Sequence, residues 1–532
     1  MIYERGGERF IPREFLGLWN LYFIIKLVFY WQGYIGFHAW HNLAFATVLL
    51  LPIETMYWRR IRNNCAIPFA LALLYFDSWL PPLSRLISQT YLLSDFDTNY
   101  LIELIGRVID IRMIAITLLI WVMYKIFQPL VKFGGIVVGA MLLIAIMGQS
   151  GTNEAIVQKI GLDADRSIDQ KLSEFFATEA LRTVVFPKTI KTEQPLDIIF
   201  LHICSLSWDD LKSVGLAQHP LWSRFDYLFT RFNSAASYSG PAAIRLLRSN
   251  CGQQTIGKMF DPVSARCLLM PSLEQVGFKQ YLAMNHDGHF DEFLKLINRE
   301  GINVPPLNLD GMQVSQYGFD ESLIYDDLAV LSKWINSRAQ DGHASAALFY
   351  NSISLHDGNR RKGDKTSQSS LGTYQYRAKL LLDQLNLFFD LLEKSDRRSI
   401  VVLVPEHGAG VKGDQFQFAG LREIPSPSLT LVPVGIKIIG MGGRQGDQQK
   451  IDAESSYLAL NQLIGNLIEE LPVKGMQFTP DVHLHDLPTT PMVSENEDVV
   501  VMGLNGSFFL KHSNEDWKEY PCKDRCSGGG VN

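Results

Sequence analysis

Five apolar stretches crowd the first 150 residues, at about 15–36, 40–58, 65–82, 108–127 and 131–149. Each approaches the ~20 residues that a helix needs to cross a hydrocarbon core of about 30 Å. The expectation is therefore an α-helical transmembrane bundle of five spans over residues 1–150, followed by a differently built, water-facing remainder. Because four more apolar stretches follow the first, a cleaved signal peptide does not describe the N-terminus.

Basic residues orient this expected bundle. Arg5, Arg9 and Arg13 precede the first stretch, Arg59, Arg60 and Arg62 join the second to the third, and Lys125 and Lys132 flank the last turn. All three sets fall on one side, which the positive-inside rule makes cytoplasmic. An odd number of spans then carries everything after residue 150 out of the cytoplasm. Within the apolar stretches Lys26 and Glu54 stand out as an expected pair between adjacent helices, with helix packing as the commoner role and function as the sharper one. Asp110 and Arg112 sit where a headgroup or interfacial water would meet them.

Residues 151–194 carry no long apolar run and read as a connector, 195–515 as a catalytic domain and 516–532 as a flexible Gly-containing tail. The domain after residue 195 alternates strand and helix patterns. Runs at 197–203, 346–350, 399–404 and 434–439 predict buried strands, and 325–337 and 374–394 predict helices between them. Such alternation implies an α/β domain with a mainly parallel sheet covered on both faces. The net charge of −6, with no dense basic cluster after residue 150, sets nucleic-acid binding aside.

Ligands of open α/β sheets gather beyond the carboxyl ends of the strands. There the sequence places Cys204 after the first run, His356 and Asp357 after the second, and Glu406 with His407 after the third. Between them Ser237-Tyr-Ser-Gly-Pro-Ala-Ala-Ile-Arg245 reads as a loop entering a helix, with Pro241 in its first turn and Ser239 at its N-terminus, where free N–H groups favour an anion. A serine hydroxyl needs its proton withdrawn before it attacks, and a bound Zn2+ ion does that. Cys204, Glu406 and His407 supply three zinc ligands and leave a fourth position for Ser239. Taken singly, each has a bland reading: a buried small residue for Cys204, a turn for Glu-His-Gly, an N-cap for Ser239.

Cysteine parity bears on the first of these. Cys65 sits near the cytoplasmic end of its stretch, and Cys251 with Cys267 and Cys522 with Cys526 make two disulfides in an oxidising compartment. Cys204 is left over, kept by zinc ligation or by burial.

These residues carry a resemblance. The segment His202-Ile-Cys-Ser-Leu-Ser-Trp-Asp209, then Ser237 to Arg248, Leu355-His-Asp-Gly-Asn359, Val404-Pro-Glu-His-Gly408 and Gly420-Leu-Arg-Glu-Ile-Pro-Ser-Pro-Ser428 resemble the cellulose phosphoethanolamine transferases of bacterial cellulose secretion systems, members of the alkaline phosphatase superfamily. The likeness spans essentially the whole chain apart from the tail at 521–530. It implies a multi-pass protein of the bacterial inner membrane with a periplasmic zinc domain that moves phosphoethanolamine from phosphatidylethanolamine to cellulose hydroxyls through a serine intermediate. It implies Ser239 as nucleophile, Cys204, Glu406, His407 and the Ser239 oxygen around zinc, and Tyr238, His356 and Arg422 as substrate or acid/base contacts. Arg422 suits phosphate by its planar fork. Membrane lipid and cellulose synthase subunits are the implied partners. The lipid A phosphoethanolamine transferases look different, with a threonine nucleophile and an Asp-His pair. Two other readings share these residues: a lipid phosphodiesterase, in which water resolves the intermediate, and a non-catalytic scaffold of a cellulose synthase complex.

Overall fold

The structure is a computed structural model that describes residues 16–51, 53, 55–78, 80, 96–108, 111–149, 167–187, 195–363, 369–395, 397–414, 416–513, 515–522, 526 and 528–529. The chain divides into two compact units, one of Met1–Gln89, Leu104–Ala155 and Gln415–Phe418, the other of Thr90–Glu103, Ile156–Asp414 and Ala419–Asn532.

The first unit corrects the five-span expectation: among the described residues, no helix is long and apolar enough to cross a membrane. The stretches at 15–36 and 40–58 yield helices of only 13 and 12 residues, Trp19–Trp31 and Ala39–Leu50. At 1.5 Å per residue these reach about 20 Å. Gly33, at φ 79°, turns the chain after the first. Leu51, which precedes a proline, is extended at ψ 125° after the second. Met56–Phe76 has 21 residues, but Arg59, Arg60 and Arg62 occupy its first half. Ile111–Phe127 and Phe133–Gln149 stop at 17 residues each. The apolar runs count residues and are blind to the turns that cut them. The multi-pass topology and inner-membrane placement deduced from five spans lose that support.

Phe23, Phe45, Ala46, Leu49, Ala66, Ala70, Leu73, Val137 and Met141 form this unit's core. Lys26, 1 % exposed, pairs with Asp77 at 2.5 Å and donates to Asn42 Oδ1 at 2.7 Å. Its expected partner Glu54 lies outside the described residues, as do Asp110, Arg5, Arg9 and Arg13.

The second unit is built on seven strands: β1 (Leu196–Ile203), β2 (Tyr227–Asn233), β3 (Lys279–Met284), β4 (Ala346–Ser352), β5 (Arg398–Leu403), β6 (Leu431–Ile439) and β7 (Gln449–Ile451), in the order β7-β2-β6-β5-β1-β4-β3. β1 runs parallel to β4 and β5, β3 to β4 and β7 to β2, whereas β6 is antiparallel to β2 and β5. The expected mainly parallel sheet is thus present, with one reversed strand. Both faces are dry: Ile198 and Phe200 pack into one core with Leu246, Phe278 and Leu463, and Ile199 and Leu201 into the other with Trp334, Leu381 and Phe388. That alternation is the two-residue period of a strand buried on both sides.

A second, antiparallel sheet of Val493–Asn496, Val499–Leu504, Ser507–His512 and Lys518–Tyr520 lies near the C-terminus. Val493, Met502, Phe509 and Trp517 bury Ile168 and Phe175 of the helix Ile168–Glu179.

Candidate active site

β5, β1 and β4 are neighbours, so the residues that leave their carboxyl ends converge. Backbone bonds between the exits fix them: Cys204 N donates to Ser352 O at 2.9 Å, Glu406 N to Ile203 O at 2.9 Å, and Leu206 N to His407 O at 2.7 Å. Ser205 takes a left-handed φ of 63°, which turns the chain sharply behind Cys204, and Tyr374 Oη donates to its carbonyl at 2.7 Å. Gly408 follows His407 where a Cβ would meet Ser207 Oγ at 2.6 Å and Asp210 Oδ2 at 2.7 Å.

At the point of convergence the ligating atoms of Cys204, Glu406 and His407, all buried, lie within 4.8 Å of one another. β2 leads by a short loop into the helix Ser239–Leu247, and Ser239 Oγ stands 3.5 Å from Cys204 Sγ. Ser239, Tyr238, His356 and Arg422 are all partly exposed beside the buried three. Tyr238 caps the helix Ser239–Leu247 with extended backbone, and its hydroxyl donates to Glu423 Oε1 at 2.6 Å. The Arg422 guanidinium lies over the Tyr238 ring at 5.5 Å and approaches His407 Nε2 at 3.4 Å.

Electrostatics follow from burial. It pushes the Cys204 thiol up to about 12, helped by the Glu406 charge and opposed by Arg422 and by hydrogen bonds from Ser205 and Ser239. The Glu406 carboxyl is raised by burial, and burial with the nearby Arg422 charge drives His407 well below the ordinary imidazole range. His356 falls to about 4 for the same two reasons, so it is neutral at physiological pH.

Two hydrogen bonds define tautomers. His407 Nδ1 donates to Gly408 O at 2.8 Å, and His356 Nδ1 to Asp357 O at 2.7 Å. In both rings Nε2 keeps its lone pair.

The donor set suits a metal ion. Glu406 Oε1 accepts from Asn351 Nδ2 at 2.7 Å, but Oε2 is buried with no hydrogen-bond donor, although Cys204 and Ser239 face the carboxylate. A thiol, an orphaned carboxylate oxygen and an imidazole Nε2 lone pair, which faces Arg422 Nη1 at 3.4 Å, match the soft and borderline ligands that zinc takes. The His407 contact to Gly408 O is the kind of outer hydrogen bond that fixes a metal-bound histidine.

Asn351 and Asp210 carried no signal in the sequence, and His202 carried one clue. Asn351, inside β4, reads as one more strand residue. His202, inside β1, is buried and pushed down to about 3 by burial, with Nδ1 at 3.3 Å from Glu406 Oε1. Its place two residues before Cys204, on the same face of the strand, was the available clue. Asp210 accepts from Ala409 N at 2.6 Å and Val411 N at 3.0 Å, and so holds the loop that follows His407.

Comparison with known proteins locates this arrangement. A family profile described as the cellulose biosynthesis protein BcsG N-terminal domain matches residues 19–146, and its C-terminal domain counterpart matches residues 152–517. The cellulose biosynthesis protein BcsG of Salmonella typhimurium strain LT2 is 36% identical over 544 residues, covering 94% of this chain and 96% of that protein. The Escherichia coli K12 protein of the same name gives the same identity and coverage. Among solved structures, an alkaline phosphatase superfamily protein from Vibrio parahaemolyticus is similar at 14% identity and a TM-score of 0.45, over 67% of this chain and 89% of that one. Two adjoining profiles and relatives matched almost end to end leave one conclusion: the chain belongs to the cellulose biosynthesis protein BcsG family.

Proposed function

We propose that this protein is a zinc-dependent phosphoethanolamine transferase that moves the headgroup of phosphatidylethanolamine onto hydroxyls of cellulose through a covalent Ser239 intermediate. The family supports the link to cellulose synthesis. The observation that carries the chemistry is Ser239 Oγ, at a helix N-terminus, 3.5 Å from the thiol of a buried Cys-Glu-His cluster whose Glu406 Oε2 has no donor.

Cys204, Glu406 and His407 would hold the ion, which supplies positive charge that favours ionised ligands and stabilises charge on the phosphoryl oxygens. The chain's own residues perform the transfer. Ser239 Oγ forms a bond to phosphorus as the bond from phosphorus to the diacylglycerol oxygen breaks, and the serine proton passes to that leaving oxygen. His356 Nε2, neutral and with its lone pair free, exchanges the proton with the entering and departing oxygens. Arg422, steadied by the Tyr238 ring, binds the phosphoryl group. In the second half a glucan hydroxyl attacks the same phosphorus from solvent as the bond from phosphorus to Ser239 Oγ breaks, and the hydroxyl's proton passes to Ser239.

Two disulfides, Cys251–Cys267 and Cys522–Cys526, support a catalytic unit that works outside the reducing cytoplasm. The test is diacylglycerol release from phosphatidylethanolamine by the purified full-length protein, with and without a cello-oligosaccharide, alongside its zinc content. Ser239→Ala is expected to lower release by at least about 10³-fold with zinc retained, and Cys204→Ala to lose zinc. Release that ignores the acceptor identifies a phosphodiesterase, and wild-type release by Ser239→Ala ends the proposal.

A further inference from the structure

The His356-Asp357 loop is held by a segment that precedes it by some 250 residues. Residues 96–103 belong to the same compact unit as the sheet. Arg360 Nη1 donates to Asp97 Oδ2 at 2.9 Å, Tyr100 Oη to Asp357 Oδ2 at 3.1 Å, and Ser370 N to Glu103 Oε1 at 3.1 Å. The Ser370 hydroxyl donates to the other oxygen of Asp357, so one carboxylate bridges the segment to the helix Ser370–Glu393. Phe96 and Tyr100 pack on Phe319 with centroids at 5.1 and 5.9 Å, and Phe319 lies against His356 at 5.0 Å with 32° between the rings. The approach leaves no room. A Cβ on Gly358, whose φ is +84°, would meet Phe319 Cβ at 2.4 Å and the Tyr100 ring at 3.0 Å.

We propose that Tyr100 is a positioning residue of the active site, acting through Asp357 on His356. The peptide that carries the Asp357 side chain also presents the carbonyl to which His356 Nδ1 donates. Anchoring that carboxylate therefore anchors the ring and its tautomer. Arg377 secures the other side of the loop, donating to Ser354 O at 2.8 Å and His356 O at 3.2 Å, and is untouched by changes at Tyr100. The consequence is that a stretch outside the domain expected at 195–515 is part of the catalytic machinery. The inference rests on the proton-transfer role proposed for His356.

The experiment uses the full-length chain, phosphatidylethanolamine in mixed micelles and a cello-oligosaccharide, and compares wild type, Tyr100→Phe, Asp357→Ala, their combination and Ser239→Ala. Tyr100→Phe keeps the ring and removes the hydroxyl's bond to Asp357. It is expected to lower kcat roughly tenfold with KM and Tm unchanged. Added to Asp357→Ala it should cost nothing more, because the hydroxyl then has no carboxylate to hold. Wild-type kcat in Tyr100→Phe, losses that add across the pair, or an activity loss explained by a lower Tm each overturn the positioning role. A Ser239→Ala protein that still turns over overturns the underlying reaction and is read independently of Tyr100.

Discussion

Asp210 shows how a residue behind the loop that follows His407 shapes the site. It is fully buried and receives Ser207 Oγ at 2.8 Å as well as two backbone N–H groups. Those donors favour the carboxylate, yet burial outweighs them and the group titrates at about 6, against an ordinary 3.8. A raised pKa means that the folded state holds this proton more tightly than the unfolded chain. Its contribution to stability is therefore complete below the unfolded value and is lost as pH rises through about 6. Urea unfolding between pH 4 and 7 should show a slope of this sign worth roughly 3 kcal/mol at most. Asp210→Asn, which does not titrate, should flatten it; an unchanged slope places the effect elsewhere. Asn351 gives a second test at this scale. Its amide satisfies Glu406 Oε1, so Asn351→Ala leaves a buried carboxylate oxygen without its donor and should cost about 1–3 kcal/mol and weaken zinc retention, read by denaturant titration and metal analysis.

At the scale of elements, the site depends on three strands ending together and on the turns just beyond them. Phe200 sits at the centre of β1, paired with Phe349 and Val402 and completely buried. Phe200→Ala should cost about 3–5 kcal/mol, visible as a lower urea midpoint at unchanged slope. Gly408 is the matching point in the turn. Gly408→Ala drives a methyl against Ser207 and Asp210, so it should displace His407 and lower zinc content more than it lowers Tm. Metal analysis and calorimetry on one preparation separate the two effects. The helix Ser239–Leu247 was legible because Pro241 and the alanines after it state a helix start. The helix at Asp327–Gln340 begins two residues later than its periodicity implied, where the Asp326 side chain accepts from Ala329 N at 3.0 Å.

Over the whole molecule, the cross-link Cys251–Cys267 closes a loop of 16 residues next to the helix Ser239–Leu247. Chain-entropy reasoning values it at about 3 kcal/mol. A Cys251→Ser, Cys267→Ser double variant should therefore unfold at lower denaturant while keeping the proposed zinc, because the cross-link uses none of the candidate ligands Cys204, Glu406 and His407. Loss of zinc in the same proportion as stability counts against that separation. The N-terminal unit holds its own buried charge, Lys26 against Asp77, a partner that sequence spacing did not suggest; Glu54, which it did, lies outside the described residues. Proximity along the apolar runs says nothing about which helix end folds back.

Residue types, their order and their position relative to strands were written in the chain. Continuous apolar runs of strand length fit a sheet covered on both faces, and Cys204, Glu406 and His407 closely follow such runs. The disulfide pairs followed from number and spacing. Helix length in the N-terminal unit was not legible, because apolar composition does not register the turns at Gly33 and Leu51 or the arginines inside Met56–Phe76. Nor were Asn351, Asp210 and Tyr100, whose parts depend on what packs opposite them. Local pattern sets which face of an element is apolar, but the partner of a polar side chain is chosen by long-range packing, and only the folded chain brings Tyr100 to Asp357.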